Sequence, residues 1–302
     1  MNRVLVTGAS GFIGRQCLRE LADTGLELHA VSCRSDRQSE DGVVWHRTDL
    51  LVEGNPGRLV AEVRPSHLLH LAWYVEHGRY WASPENLRWV QATADLLKQF
   101  ADQGGHRAVL AGTCAEYDWR FGYLSEGTTP LASKSLYTAA KNATRLLAES
   151  IASQANLECA WARIFFTYGP GEPPKRLVPS IIHCLKHGTP TPPLKADLYR
   201  DFLYVKDVAS ALEALLKSQV TGAINIASGR PTRIGEVAEA IAAKIGGAEL
   251  LRFESPAERA EEPPLVIGNP ARLRNELGWT PTYNLDSGLA DMIVSMEDAE
   301  CV

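Results

Sequence analysis

The sequence has no long hydrophobic run, no paired-cysteine motif, no histidine cluster and no surplus of basic charge, and each absence closes a class of function. No stretch approaches ~18 consecutive apolar residues, so no membrane-spanning helix is expected. Its 6 cysteines, Cys17, Cys33, Cys114, Cys159, Cys184 and Cys301, are scattered without a CxxC pair, and its 8 histidines form no HxxxH-type ligand set. Neither a disulfide framework nor a metal site is expected, and reduced thiols in a cytoplasm fit this pattern. Met1 to Val6 lead straight into the strand-like Val4-Leu5-Val6, leaving no room for the charged segment and apolar core of a secretion signal. A formal net charge of -5 over 302 residues gives no electrostatic reason to expect a nucleic-acid or membrane partner.

What is present is an ordinary globular composition, 45% hydrophobic and 22% charged, enough for one large domain or two smaller ones. Short runs rich in Val, Leu and Ile alternate with segments of helical period, the pattern of strand-helix-strand units and a parallel sheet. Strands are expected near 3–7, 26–32, 43–47, 67–71, 107–111 and 159–165, and helices near 12–24, 57–63, 84–103 and 136–155. After Phe166 the texture changes to Gly169, Pro170, Gly171, Pro173, Pro174, Pro190, Pro192 and Pro193, which reads as a boundary. A first domain over 1–165 and a smaller α/β lobe over 166–302 are expected, some elements of the second returning to the first. Helices near 207–217 and 234–245 and a strand near 223–226 belong to this second part, and the residues from about Glu297 read as loose.

Between the first strand and the first helix stands Thr7-Gly8-Ala9-Ser10-Gly11-Phe12-Ile13-Gly14. Gly8 permits a tight turn, Gly11 lets backbone N–H groups approach a pyrophosphate at the helix N-terminus, and Gly14 lets the helix pack closely on the sheet. A plain glycine turn is the alternative, but strand, turn and helix in this order favour a Rossmann-type dinucleotide site. The second strand carries Ser32 where an NAD enzyme places an Asp or Glu for the adenosine ribose, and Arg34 just beyond can pair with a 2'-phosphate. NADP is therefore favoured over NAD, with Glu27 or Asp36 serving the ribose as the other reading.

Tyr137-Thr138-Ala139-Ala140-Lys141 puts a phenol and an ammonium four residues apart on one helix face. A nearby cation favours the phenolate, so Lys141 is expected to lower the Tyr137 pKa and make it a general acid or base. An amphipathic surface turn would show the same spacing.

Taken together, these residues resemble the extended short-chain dehydrogenase/reductase family of nucleotide-sugar epimerases, dehydratases and ketoreductases. The resemblance also covers Thr48-Asp49-Leu50, His70-Leu71-Ala72, Asn86, Arg163, Tyr168-Gly169-Pro170, Arg200-Asp201-Phe202, Asp207-Val208 and Leu277-Gly278-Trp279. It implies that Asp49 and Leu50 flank the adenine, that Leu71 and Ala72 line the cofactor cleft, that Asn86 braces the active-site helix, and that Lys141 also holds the nicotinamide ribose. Thr113 takes the place of the family's catalytic Ser or Thr, and Arg200 and Arg259 would meet the substrate pyrophosphate. Phe166 stands where many relatives carry an Asn for the nucleotide sugar. Trp73, after the fourth strand, would stack on a sugar or belong to a satellite core. Related 4,6-dehydratases carry Asp-Glu directly after that threonine; here Cys114 and Ala115 stand there, and Glu116 is displaced by one position.

The expectation is an NAD(P)-dependent ketoreductase or epimerase of a nucleotide sugar, with the lobe beyond 165 binding substrate and the long helices pairing two copies into a homodimer. A non-catalytic NAD(P) sensor or scaffold of the same fold is the rival, disfavoured because a sensor has no use for Thr113, Tyr137 and Lys141 together.

Overall fold

The computed structural model describes residues 2–33, 42–255 and 262–300, the last four as backbone alone. The chain runs β1 (Arg3–Thr7), α1 (Phe12–Ala22), β2 (Glu27–Ser32), β3 (Val43–Arg47), α2 (Asn55–Val63), β4 (His67–His70), α3 (Glu85–Asp102), β5 (Arg107–Thr113), β6 (Tyr123–Leu124), α4 (Leu136–Ala155), β7 (Glu158–Ile164), β8 (Phe166–Tyr168) and α5 (Leu177–Lys186). It continues through β9 (Tyr199–Arg200), β10 (Phe202–Tyr204), α6 (Val205–Lys217), β11 (Gly222–Ile226), β12 (Thr232–Arg233), α7 (Ile234–Ile245), β13 (Leu265–Gly268), α8 (Ala271–Leu277) and α9 (Leu285–Glu300).

Among the described residues, seven strands form one parallel sheet in the order β3-β2-β1-β4-β5-β7-β11. Side chains alternate across it, as the two-residue period of a strand requires. Val4, Val6, Val109, Ala160 and Ala162 face α1 and α6, while Leu5, Ala108, Leu110 and Trp161 face α2, α3 and α4. Both faces are covered at the centre of the sheet, so β1, β5 and β7 are buried along nearly their whole length. Burying a Leu or Val fully contributes roughly 1.5–3 kcal/mol, which makes the two core layers the main stabilising term. The strand order reverses between β1 and β4, and that switch point opens a crevice at their carboxyl ends.

The segment beyond Phe166 contributes to this body as well as to a smaller one. β11 completes the large sheet, and α6 lies beside α1. β10 pairs with β8, a second small sheet runs β12-β9-β13-β6, and α5, α7 and α9 share a core with Ile181, Ile182, Val237, Ile241, Leu289 and Met292. α5 lies inside the proline-rich stretch that reads as irregular in the sequence. Pro179 is its third residue, where the backbone N–H would have no helical acceptor, so the ring is tolerated. α9 runs on to Glu300. No helix among the described residues is long and apolar enough to cross a membrane, and no group of three or more His, Cys, Asp or Glu is placed there to hold a metal ion.

Candidate active site

The β1–α1 turn is built from the need to bring backbones together. Gly8 has φ +67°, and a Cβ on it would lie 2.8 Å from Ala72 N and from the Leu71 carbonyl carbon. The turn thus abuts the end of β4, where Leu71 N–H donates to Thr7 O at 3.2 Å and Ala72 N–H to Thr7 Oγ1 at 3.3 Å. A Cβ on Gly14 would meet Gly8 O at 2.2 Å, so the first turn of α1 packs directly on the loop before it. Gly11 is the N-cap of α1 and has no side chain to satisfy the first helical N–H groups, with Phe12 and Ile13 half-buried behind it. A glycine-rich cradle, an uncapped helix N-terminus and a strand switch fit the pyrophosphate of a dinucleotide. At the neighbouring strand ends Ser10 Oγ lies 3.2 Å from Ser32 Oγ, and Thr48 N–H donates to Ser32 O at 3.1 Å. Leu50 is buried beside the exposed Asp49, whose carboxylate accepts the Leu51 N–H at 2.9 Å. Arg34 lies outside the described residues.

β5 delivers Thr113 to the same end of the sheet. The chain then turns tightly through Cys114–Glu116: Thr113 Oγ1 accepts the Ala115 N–H at 3.2 Å, and Glu116 Oε1 accepts the Thr113 N–H at 2.7 Å. This reciprocal capping is the Thr-x-x-Glu signature, a signal present in the sequence that would have predicted the turn. The displaced Glu116 therefore does not stay on an extended segment. It is fully buried, takes Trp161 Nε1 at 2.9 Å and Arg163 Nε at 2.8 Å, and a Cβ on Gly112 would lie 2.7 Å from its Oε1.

α4 starts with Ser135 as N-cap, its hydroxyl accepting the Thr138 N–H at 3.2 Å, which sets Tyr137 in the first helical turn. Tyr80 and Trp81 meet the Tyr137 ring edge-on at 4.8 and 5.6 Å. Burial pushes the Tyr137 phenol above its ordinary range, and a hydrogen bond with Thr113 pulls the other way. Lys141 Nζ donates to Ala111 O at 2.9 Å and lies 3.7 Å from the Trp73 ring centroid. Burial draws this ammonium down to about 7, opposed by the Glu116 charge. Lys141 therefore does not bring the Tyr137 phenol below its ordinary value as expected: its ammonium is engaged with a carbonyl and an aromatic face, and desolvation of the phenol dominates.

With this geometry in place, the NAD dependent epimerase/dehydratase family model matches residues 4–227. The chain belongs to that family. It is 29% identical to the GDP-6-deoxy-D-mannose reductase of Pseudomonas aeruginosa, the alignment covering 98% of this chain and 97% of the relative. It is 26% identical to a dTDP-glucose 4,6-dehydratase of Xanthomonas campestris pv. campestris, over 96% and 91% of the two chains. The crystal structure of the Thermus thermophilus UDP-glucose 4-epimerase in complex with NAD is similar at a TM-score of 0.83 and 27% identity, over 98% of this chain and 99% of that one. Reductases, dehydratases and epimerases thus share this fold from end to end.

Other family-derived expectations meet a different geometry in this member. Asn86 braces the loop before α3, donating to Tyr80 O at 2.7 Å and Ser83 O at 2.9 Å and accepting Trp73 Nε1 at 2.9 Å, and Trp81 O of that loop accepts the Tyr137 N–H of α4 at 3.1 Å. Trp73 also stacks on Trp89 at 6.1 Å, so it is part of a packed aromatic wall under Lys141. Arg200 is 3% exposed, held by Glu262 Oε1 at 2.8 Å and by the Tyr199 and Pro263 carbonyls, with the Phe166 ring 5.7 Å away. Phe166 packs with Trp119 and Phe202. Arg259 lies outside the described residues.

Proposed function

We propose that this chain is an NAD(P)-dependent enzyme acting on a hydroxyl or keto carbon of a nucleotide-linked sugar, a 4-ketoreductase or an epimerase and not a 4,6-dehydratase. The observation that carries this reading is the convergence of Thr113, Tyr137 and Lys141 at the end of β5, one strand from the β1–β4 crevice. The dinucleotide, when bound, supplies or accepts hydride at the sugar carbon. Tyr137 Oη gives its proton to the oxygen of a keto carbon and takes it back in the reverse direction, a task suited to a phenol that burial keeps protonated. Thr113 Oγ1 orients that oxygen. Lys141 holds the nicotinamide ribose. Ala115 has no proton to give, and burial pushes the Cys114 thiol up to about 12, so neither replaces a dehydratase acid–base pair.

In this reading residues 1–165 bind the dinucleotide and 166–302 mainly the sugar nucleotide, with Trp73 and Phe166 as aromatic walls. Arg200 meets the diphosphate by exchanging Glu262 for it, and Arg259 assists. Because β2 ends on Ser32 rather than a carboxylate, NADP is the assigned cofactor, with NAD the alternative. Arg34→Ala is expected to erase a preference for NADP over NAD in binding titrations; an undiminished preference rejects Arg34. Leu87, Leu146 and Leu147 on α3 and α4 are 58%, 58% and 42% exposed, the surface we assign to a homodimer. Sedimentation showing monomer alone at micromolar concentration refutes that assignment. We place the enzyme in the cytoplasm, which cell fractionation checks.

A thermal-shift panel of nucleotide sugars with NAD or NADP identifies the ligands, since each true ligand stabilises the native state by mass action. With the sugar so found, Tyr137→Phe is expected to keep dinucleotide binding and lose roughly 10²–10⁴-fold in turnover. Turnover at the wild-type rate removes Tyr137 from the mechanism.

A further inference from the structure

Tyr80 and Trp81 lie in the loop between β4 and α3 and are held there at their backbones. Asn86 Nδ2 donates to Tyr80 O at 2.7 Å, and the Tyr137 N–H, which the first turn of α4 leaves without a helical acceptor, donates to Trp81 O at 3.1 Å. The two rings stack with centroids 4.7 Å apart and planes 29° from parallel, and both meet the Tyr137 ring edge-on, at 4.8 and 5.6 Å. Trp81 is nevertheless 38% exposed, the most exposed of the 7 tryptophans. The indole N–H groups of Trp73, Trp119, Trp161 and Trp279 each donate to a partner within the fold at 2.8 to 3.1 Å, whereas that of Trp81 has none among the described residues. Neighbouring aromatic rings are engaged: Lys141 Nζ lies over Trp73, which stacks on Trp89, and Phe166 packs with Trp119 and Phe202. Packing alone does not account for an indole that is fixed against Tyr137 at its backbone and left open at its ring.

We propose that Trp81 is a sugar-binding residue, its indole stacking on the apolar C–H face of the sugar ring whose reacting oxygen lies at Tyr137 Oη. This rests on the reading of Tyr137 given above. A sugar is polar at its hydroxyls and apolar across its ring, so a flat, half-exposed indole covers one face and its free N–H meets a hydroxyl at the edge. Tyr80, stacked on the indole, fixes the plane in which it stands. Ligand sites commonly combine such aromatic walls with a few placed polar groups, here Tyr137 and Thr113. Lys141, the residue assigned to the nicotinamide ribose, stands one turn further along α4, so the molecule that meets Tyr137 and Trp81 together is the sugar and not the dinucleotide.

The test compares wild type with Trp81→Ala, Trp81→Leu and Trp81→Phe, with melting curves recorded for each. UDP-glucose, dTDP-glucose and GDP-mannose, and the diphosphates UDP, dTDP and GDP that lack the sugar, are titrated by calorimetry in the presence of the oxidised dinucleotide. NADH and NADPH are titrated by nicotinamide fluorescence. For the nucleotide sugar that wild type binds most tightly, Trp81→Ala and Trp81→Leu are expected to weaken binding about tenfold, while Trp81→Phe, which keeps a flat aromatic face, stays within about threefold of wild type. The matching diphosphate and the reduced dinucleotides are expected to bind all four proteins alike. Undiminished affinity of the alanine and leucine variants for the nucleotide sugar overturns the proposal. So does an equal loss for the diphosphate, which places Trp81 against the nucleotide or in the support of the fold. If the alanine variant does not fold, the leucine variant, which keeps apolar bulk without the aromatic face, decides. Wild type that binds none of the three nucleotide sugars overturns both this inference and the reading it rests on. Tyr137→Phe loses turnover and keeps sugar affinity, whereas Trp81→Ala loses sugar affinity, so the two readings fail separately.

Discussion

Glu116 and Glu172 are both buried glutamates that follow a strand, yet their surroundings differ in kind. Glu116 is saturated: Thr113 N–H, Trp161 Nε1 and Arg163 Nε converge on it, and Arg163 goes on to Tyr117 Oη at 2.8 Å, which donates to Asn225 Oδ1 at 2.8 Å. Glu172 has the Arg176 guanidinium at 3.5 Å, the Gly169 backbone facing it, and one oxygen without a hydrogen-bond partner among the described residues. The same residue type at similar burial is fully paired in one place and partly paired in the other. Burial sets the desolvation penalty, and the partners decide whether it is offset.

The largest way to break this comparison is Glu116→Ala, which leaves Arg163 buried without its counter-ion. A loss of about 3–5 kcal/mol is expected in urea unfolding, and a loss under about 1 kcal/mol would deny Glu116 its place as a strut. Gly112→Ala attacks the same strut from its backbone, since the added methyl would lie 2.2 Å from Trp161 Nε1 and 2.7 Å from Glu116 Oε1. It is expected to destabilise by about 1–3 kcal/mol; an unchanged midpoint would show that Trp161 and Glu116 yield without penalty. The smallest effect belongs to Glu172 in the ligand-free protein and has the opposite sign. The unfolded chain ionises this carboxyl in the ordinary range while the folded one holds its proton up to about 8, so its contribution to stability falls as pH rises between those limits. Glu172→Gln removes that slope, so the variant is expected to gain stability relative to wild type as pH rises towards about 8, measured as the difference from wild type in melting experiments. Lys141 adds a slope of the other sign above about 7, common to both proteins, and drops out of the difference. A glutamine variant less stable than wild type at every pH would make Glu172 a second strut.

The β strands of the first half are legible to within a residue or two because each is an apolar run long enough to stand out between glycine turns and amphipathic helices. Tyr137 and Lys141 are legible as a pair by their helical spacing, and Thr113 only through the family resemblance. What escapes is whatever depends on distant partners. β6, β8, β9, β10 and β12 have two or three residues each, too few to show a period, and α5 is hidden by prolines that its first turn tolerates. Asn86 is recognisable by position, but its partners Tyr80, Ser83 and Trp73 come from the fold of a loop. Arg200 looks like a free cation in sequence and is capped by Glu262 in space, 62 residues away.

By itself the sequence determined the doubly wound sheet, the glycine turn at its switch point and the helical spacing of a phenol and an ammonium. These follow from spacings of two to seven residues along one chain segment. The tertiary structure alone decided how each polar group is charged and held: that Tyr137 stays a phenol, that Lys141 is drawn towards neutrality under Trp73, that Glu116 is braced by Arg163 and Glu172 is not. Desolvation and pairing depend on residues brought together from tens of positions apart, and no local pattern encodes the number of partners a buried atom will find.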